Sequence, residues 1–397
     1  MLNHPIQKLI TCIFFVNILA CGGGSANIIP PQAAPGDPQP TIFLCNPDIT
    51  CPEIVVSGNE YSTDAFRGYG DPSLEFDAST NTLWMSYSWL NVVISDPGSP
   101  AVFDLAVRTH LAKSIDNGNS FSFVREINQP EQETHPDSAE QGLTIHEVST
   151  LVKQADNEWQ VLWLKYFTPL GTTPGVEDRT DFLLWRSTSN TAENLADNSE
   201  VWARTFVASD AWNAPINLNN ISELSDCAVL TEPALFNHNN QIYLAASCLI
   251  VDLFGRHTDR ERLVLLRQIS SGYEFVGNIF DALDAASLGA DVLEQADISV
   301  AKDGSVIIIV TPIVLGGDPS HQGCVVFEFD DFSNAQVKRN ANGKSLARNI
   351  ITADSSREGG LCSYDAASET GIIMVLTNVT QNGTDVEFSM RATGVHP

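Results

Sequence analysis

The chain has 397 residues, 43% of them hydrophobic, enough to bury a large core and to exclude intrinsic disorder over most of its length. Its 21 Lys and Arg face 49 Asp and Glu, a formal charge of -28 that repels phosphate backbones and excludes general nucleic-acid binding. With 26 Gly, 20 Pro and 7 Trp, the composition suits short aromatic-rich strands joined by many turns.

The first element is the apolar stretch Leu9 to Ala20, too short to span a bilayer core of about 30 Å as a helix. Lys8 supplies a positive n-region, and Ile18-Leu19-Ala20-Cys21 closes the stretch with small residues before a cysteine. These residues resemble the bacterial lipoprotein lipobox. The resemblance implies cleavage before Cys21, diacylglycerol on its thiol and acylation of its new amino group. Gly22 stands where an inner-membrane retention signal has Asp, which implies the outer membrane, with attachment through the lipid anchor only. An ordinary secretory signal with an incidental cysteine is the alternative. The Gly, Ser, Ala and Pro that follow read as a spacer, so residues 21–52 are expected to be a lipidated tether and residues 53–397 the folded domain.

Without Cys12 and Cys21, an even set remains: Cys45, Cys51, Cys227, Cys248, Cys324 and Cys362. In an oxidising compartment this suggests three disulfides, out of fifteen possible connectivities. Cys45 and Cys51 enclose a short loop, Cys227 and Cys248 flank a hairpin, and Cys324 is left with Cys362. There is no C-x-x-C pair or zinc-like Cys/His spacing, so no metal site is expected.

The dominant pattern is a repeated hairpin. Gly70 to Asp77 leads through a polar turn into Leu83 to Ser88, and His146 to Leu151 leads through Asp156-Asn157 into Trp159 to Tyr166. Thr231 to Phe236 turns at His238-Asn239-Asn240 into Ile242 to Ser247, and Ala296 to Val300 turns at Asp303-Gly304 into Val306 to Thr311. A weaker fifth copy runs from Leu361 to Leu376. Third strands follow at Phe103 to Leu111, Asp181 to Arg186, Arg262 to Arg267, Cys324 to Phe329 and Val386 to Arg391. Fourth strands follow at Phe121 to Ile127, Trp202 to Val207 and Tyr273 to Gly277, and Glu53 to Ser57 has strand character that would complete the last unit. The repeat predicts an all-β, five-bladed β-propeller of four-stranded blades, with a β-sandwich as the alternative because it too has short strands and turns.

Ser114-Ile115-Asp116-Asn117-Gly118-Asn119-Ser120-Phe121 lies between the third and fourth strands of the first unit. It resembles the Asp-box of sialidases and related bacterial propellers, which also admits a six-bladed sialidase-like fold. The expected role of Asp116 is structural, accepting backbone N–H groups in the turn above an aromatic ring.

Alignment of the repeats places an acid at one equivalent position in four units: Asp71, Glu147, Glu232 and Asp297. This resembles the five-bladed glycoside hydrolases of family 43. The resemblance implies Asp71 as general base, Glu147 as modulator and Glu232 as proton donor, with Arg67, His146 and Asp297 toward substrate. Glycosidic cleavage needs one carboxyl protonated and another ionised, and clustered acids push their pKa values apart. The pattern departs from the family at Glu147, where Asp is usual, and at Pro233 after the donor. The same acids could instead cap strand ends or hold water or a Ca2+ ion at the axis; no other cofactor is implied. No spacing among Arg67, Arg256, Arg260, Arg267 and Arg357 identifies the arginine triad of a sialidase. The partner is therefore expected to be a glycan, bound or hydrolysed at the channel. The alternative is an envelope protein held by long insertions at Val92 to Ala101 and Phe167 to Asp181, with the propeller a non-catalytic scaffold.

Overall fold

The computed structural model describes residues 37–59, 66–96, 102–154, 158–169, 180–196, 198–205, 212–252, 255–317, 319–354, 357–379 and 386–397. The signal segment, Cys21, the Asp156-Asn157 turn and parts of both long insertions lie outside them. The described chain is nearly all β: its one α-helix is Ala282–Ser287, and no described helix is long and apolar enough to cross a membrane.

Each expected hairpin forms. The inner strands are Phe66–Asp77, Gln141–Lys153, Val229–His238, Val292–Val300 and Glu358–Ser363. Each pairs antiparallel with the next strand of its own unit. Third strands follow at Val102–Ser114, Thr180–Ser189, Arg262–Ile269, Cys324–Asp331 and Val386–Ala392. The five inner strands neighbour one another in a closed order, first to second and onward, with the last back against the first. That radial arrangement of sheets is a β-propeller rather than a sandwich.

A recurrent backbone device sets the inner strands. Pairing skips two residues between Gly70 and Ser73, Glu147 and Thr150, Thr231 and Ala234, Glu294 and Asp297, and Gly360 and Ser363. The first skipped residue is left-handed every time: Asp71 (φ 47°), Val148 (53°), Glu232 (53°), Gln295 (54°) and Leu361 (52°). None is glycine, and such a conformation costs about 1–3 kcal/mol per residue, so surrounding structure must hold it. Much of that support is a clasp between units. Leu74 N donates to Ser363 Oγ (3.1 Å), Leu151 N to Ser73 Oγ (3.0 Å), Leu235 N to Thr150 Oγ1 (2.8 Å) and Tyr364 N to Asp297 Oδ2 (2.9 Å). The acceptor is always the residue that resumes pairing after the skip; Ala234 holds that place in the third unit and offers no side-chain acceptor.

Two boundaries differ from expectation. Thr41–Cys45 was read as tether but pairs in parallel with Ala347–Ala353, an outer strand of the fourth unit that the sequence reading also missed. The folded domain therefore begins before residue 53. Val92 to Asp96 was read as insertion but continues the strand Thr82–Asp96. The expected closure by Glu53 to Ser57 does occur: Glu53 bridges Arg391, Ile54 N bonds Met390 O (2.9 Å), and Val56–Ser57 runs beside Phe121–Ser122. This short segment thus ties the last unit to the first.

The disulfides Cys45–Cys51, Cys227–Cys248 and Cys324–Cys362 all form, with Cα separations of 5.4, 5.3 and 6.3 Å. Asp116 takes the turn role expected of it, accepting from Ser114 Oγ (2.7 Å), Ser120 N (2.9 Å) and Ser120 Oγ (2.6 Å), with Phe121 buried beneath. Trp84, Trp159 and Trp163 are buried and fill the space between the first and second units, so they are not free to stack on a sugar.

Candidate active site

The left-handed skips decide where the acids stand. Asp71 and Glu232 both occupy the first skipped position, so they are equivalent and project from the same level of the channel. Glu147 is one residue earlier, at the level of Glu294, and Asp297 is two residues later than the first skipped position. The expectation of one equivalent position for all four is corrected: they lie at three levels, because the repeats were aligned on the acids, and Glu147 and Asp297 stand one residue before and two residues after the left-handed position common to all five units.

Glu232 is 1% exposed and neither carboxyl oxygen has a hydrogen-bond partner. Burial, then the neighbouring charges of Asp71, Glu294 and Glu147, push its pKa well above the usual carboxylate range. Asp71 is also raised by burial, but three groups work the other way: the Ser88 hydroxyl bonded to Oδ2 (2.6 Å), the Val148 N–H, and His321. The proton in this cluster therefore goes to Glu232 before Asp71. The two carboxyls share a cavity of about 30 Å³ with Gln295 and Asp297, room for roughly one water molecule.

His146 is buried beside Glu147 and accepts from Trp163 Nε1 at Nδ1 (2.8 Å); burial, then the charge of Lys165, pushes its pKa down to about 3, so it stays neutral. Neither His146 nor Glu147 lines the acid cavity, which takes Val148, Ser149 and Thr150 from this strand; Glu147 reaches Glu232 through its charge. Arg67 does not line the cavity either, lying 3.7 Å from Glu387 where the first and last units join. Asp297 reaches the cavity, but its carboxylate is spent on the clasp to Tyr364, a structural role rather than the expected substrate contact.

The sequence reading missed a second layer around the acids. Arg256 makes a bidentate pair with Glu261 (both 2.7 Å) and bonds Glu294, leaving Nη1 buried without a partner. His321 bonds Glu358 through Nδ1 and through its backbone N–H (2.8 Å). Burial works against the His321 charge, but Glu358, Glu294 and Asp71 raise its pKa. Burial also works against the Glu358 charge, yet His321 and Ser320 hold that carboxyl down at about 2. The upward shift favours the protonated ring of His321, whose charge acts on Asp71. These residues come from loops and strand ends with no periodic signal; a lone Arg or His among turns gives nothing to align.

A sialidase-like arginine triad finds no support. Arg256 is neutralised by two glutamates, Arg260 pairs with Asp226 and Arg267 with Glu274. A calcium site at the axis is not formed among the described residues. The one donor set close enough to share an ion is Asp226 with Cys227 and Cys248, whose sulfurs are joined in a disulfide. At the far end of the inner strands a larger cavity of about 340 Å³ is lined by Glu75, Lys153 and Asp365.

No protein-family profile and no curated protein sequence matches the chain. Among solved structures it is similar to xylan beta-1,4-xylosidase from Bacillus halodurans (12% identity, TM-score 0.44, 83% of this chain and 54% of that one). It is also similar to arabinanase Arb43A from Bacillus subtilis (11%, 0.43, 83% and 95%) and to a GH43_12 protein from a capybara gut metagenome (12%, 0.48, 86% and 52%). The chain spans about half the length of the first and third of these.

Proposed function

We propose that the chain is an outer-membrane lipoprotein, anchored through Cys21, whose five-bladed propeller cleaves a neutral glycan above the acid cavity. Glu232 donates the proton to the departing glycosidic oxygen, Asp71 activates water as general base, and Glu147 tunes Glu232. The observation that carries this reading is the contrast between two equivalent carboxyls. Glu232 is buried with no donor and three acids facing it, whereas Asp71 has the Ser88 hydroxyl, the Val148 N–H and the nearby His321 ring. One fold position thereby yields an acid and a base at one pH. The cavity is lined by the acids Asp71, Glu232 and Asp297, and Arg256 in the layer behind is neutralised by Glu261 and Glu294, which favours an uncharged saccharide over a sialic or uronic acid. The cavity holds one water and no sugar ring, so cleavage requires it to widen until the anomeric carbon lies between the two carboxyls, with the water activated by Asp71 on one face and the oxygen protonated by Glu232 departing from the other.

The test is hydrolysis of a panel of aryl glycosides by the parent, Glu232→Gln and Asp71→Asn. Loss of turnover by about 10²-fold or more in both variants supports the assignment. Glycan binding by the parent with no turnover on any substrate would reduce the site to a receptor. Parent-like turnover in Glu232→Gln removes it as proton donor.

A further inference from the structure

The described residues expose few large hydrophobic side chains, and three of them crowd into one short stretch at the rim: Ile42 (52% exposed), Leu44 (56%) and Ile49 (81%). Thr41–Cys45 is the outermost strand of its sheet, paired on one side only. Strand alternation turns Phe43 and Cys45 into the core while Ile42 and Leu44 face out. Beyond them, the Cys45–Cys51 disulfide closes a tight loop. Asn46 O accepts from Ile49 N (3.1 Å), Thr50 N (2.8 Å) and Cys51 N (3.0 Å), and Asn46 Oδ1 accepts from Asp48 N (3.0 Å). A stapled, internally bonded loop thus holds an isoleucine in solvent.

The chain preceding this rim says what covers it. The described residues begin at Asp37, whose carboxylate accepts from Asn340 Nδ2 (2.8 Å) in the same unit. Cys21 lies only sixteen residues upstream (37 - 21), a length of chain that reaches at most about 55 Å. Residues 41–51 carry one charge, Asp48, in a chain of formal charge -28, so anionic lipid repels this rim weakly.

We propose that this rim, Ile42, Leu44 and Ile49 together, rests in the bilayer interface beside the Cys21 lipid. The inference rests on the lipoprotein reading above. Because Thr41–Cys45 runs along the outer edge parallel to the strands, the propeller stands on edge, its channel lies in the plane of the membrane, and neither mouth is pressed against lipid.

The experiment uses the full lipidated protein in phosphatidylethanolamine/phosphatidylglycerol vesicles containing a diazirine-bearing acyl lipid, with adducts located by peptide mass spectrometry. Adducts should concentrate on the peptide spanning residues 41–51. They should fall about tenfold or more in Ile42→Ser/Leu44→Ser/Ile49→Ser while vesicle binding persists through Cys21, since burial of one isoleucine is itself worth roughly that factor. Adducts centred on Ile115 or Leu283, which are exposed elsewhere, would overturn the orientation. No lipid adducts on residues 41–51, with a bifunctional amine- and carboxyl-independent photo-cross-linker joining two copies through that segment in a parallel sample, would also overturn it and assign the rim to a second copy. An intact mass showing Cys21 unacylated is a separate result that removes the anchor and the orientation with it.

Discussion

Replacing Asp297 with Asn should make the protein more stable at alkaline pH and no different in acid. Asp297 is buried, with the Tyr364 N–H and the Ser363 hydroxyl as partners, and burial lifts its pKa from 3.8 to about 7. Between those values the unfolded chain has released the proton while the folded chain keeps it, so stability falls as pH rises through the window. About three pKa units at about 1.4 kcal/mol each sets an upper bound of about 4 kcal/mol on that loss. Asn preserves an acceptor for Tyr364 and carries no proton, so it removes this slope. The assay is urea denaturation of both proteins from pH 4 to 9. Glu75, whose pKa the Asp297 charge also raises, responds in the same direction, so the difference reads position 297 together with that coupling. A variant less stable than the parent at pH 8, or a pH-independent difference, would refute the clasp reasoning. Unchanged glycan turnover would accord with a structural Asp297.

Thr150→Val keeps the shape but removes the acceptor of Leu235 N, leaving a buried donor unmet; a loss of about 1–3 kcal/mol in urea denaturation is expected, and no loss would mean the clasp is idle. Gly68→Ala would place a Cβ 2.1 Å from Phe388 O at a φ of 128°, so the junction of first and last units should open and the thermal midpoint drop sharply; a parent-like midpoint would contradict the closure. Removing the Cys324–Cys362 link between inner and third strands, as Cys324→Ala/Cys362→Ala, should cost about 2–5 kcal/mol in the same assay. Glu358→Gln deprives His321 of its partner in a buried pair and should cost about 3–5 kcal/mol at pH 7, with the difference shrinking as pH falls toward 2 and the parent carboxyl protonates.

The hairpins were legible because a strand, an Asn, Asp or Gly turn and a second strand recur five times, and turn chemistry and period-two alternation are local properties. The strand Ala347–Ala353 was not, because Arg348 and Asn349 interrupt its apolar run and only its tertiary neighbours identify it. Thr41–Cys45 hid between Pro40 and Pro47, where composition says spacer while the parallel partner lies some three hundred residues away. The acids were found as residue types, yet their equivalence was misread, because the repeats were aligned on the acids themselves and the left-handed position common to the units, Val148 and Gln295 in two of them, has no glycine to mark it. Arg256 and His321 depend wholly on long-range geometry, and no spacing could have joined them to Asp71.

The central claim is that Glu232 holds its proton to higher pH than Asp71 beside it. Carbon-13 NMR of carboxyl-labelled protein, with Glu232→Gln and Asp71→Asn used for assignment, reads both groups directly. The account predicts a Glu signal that titrates well above the usual carboxylate range and vanishes in Glu232→Gln, and an Asp71 signal that ionises at lower pH. A Glu232 signal titrating in the ordinary range near 4.5, or Asp71 protonated above it, would contradict the account.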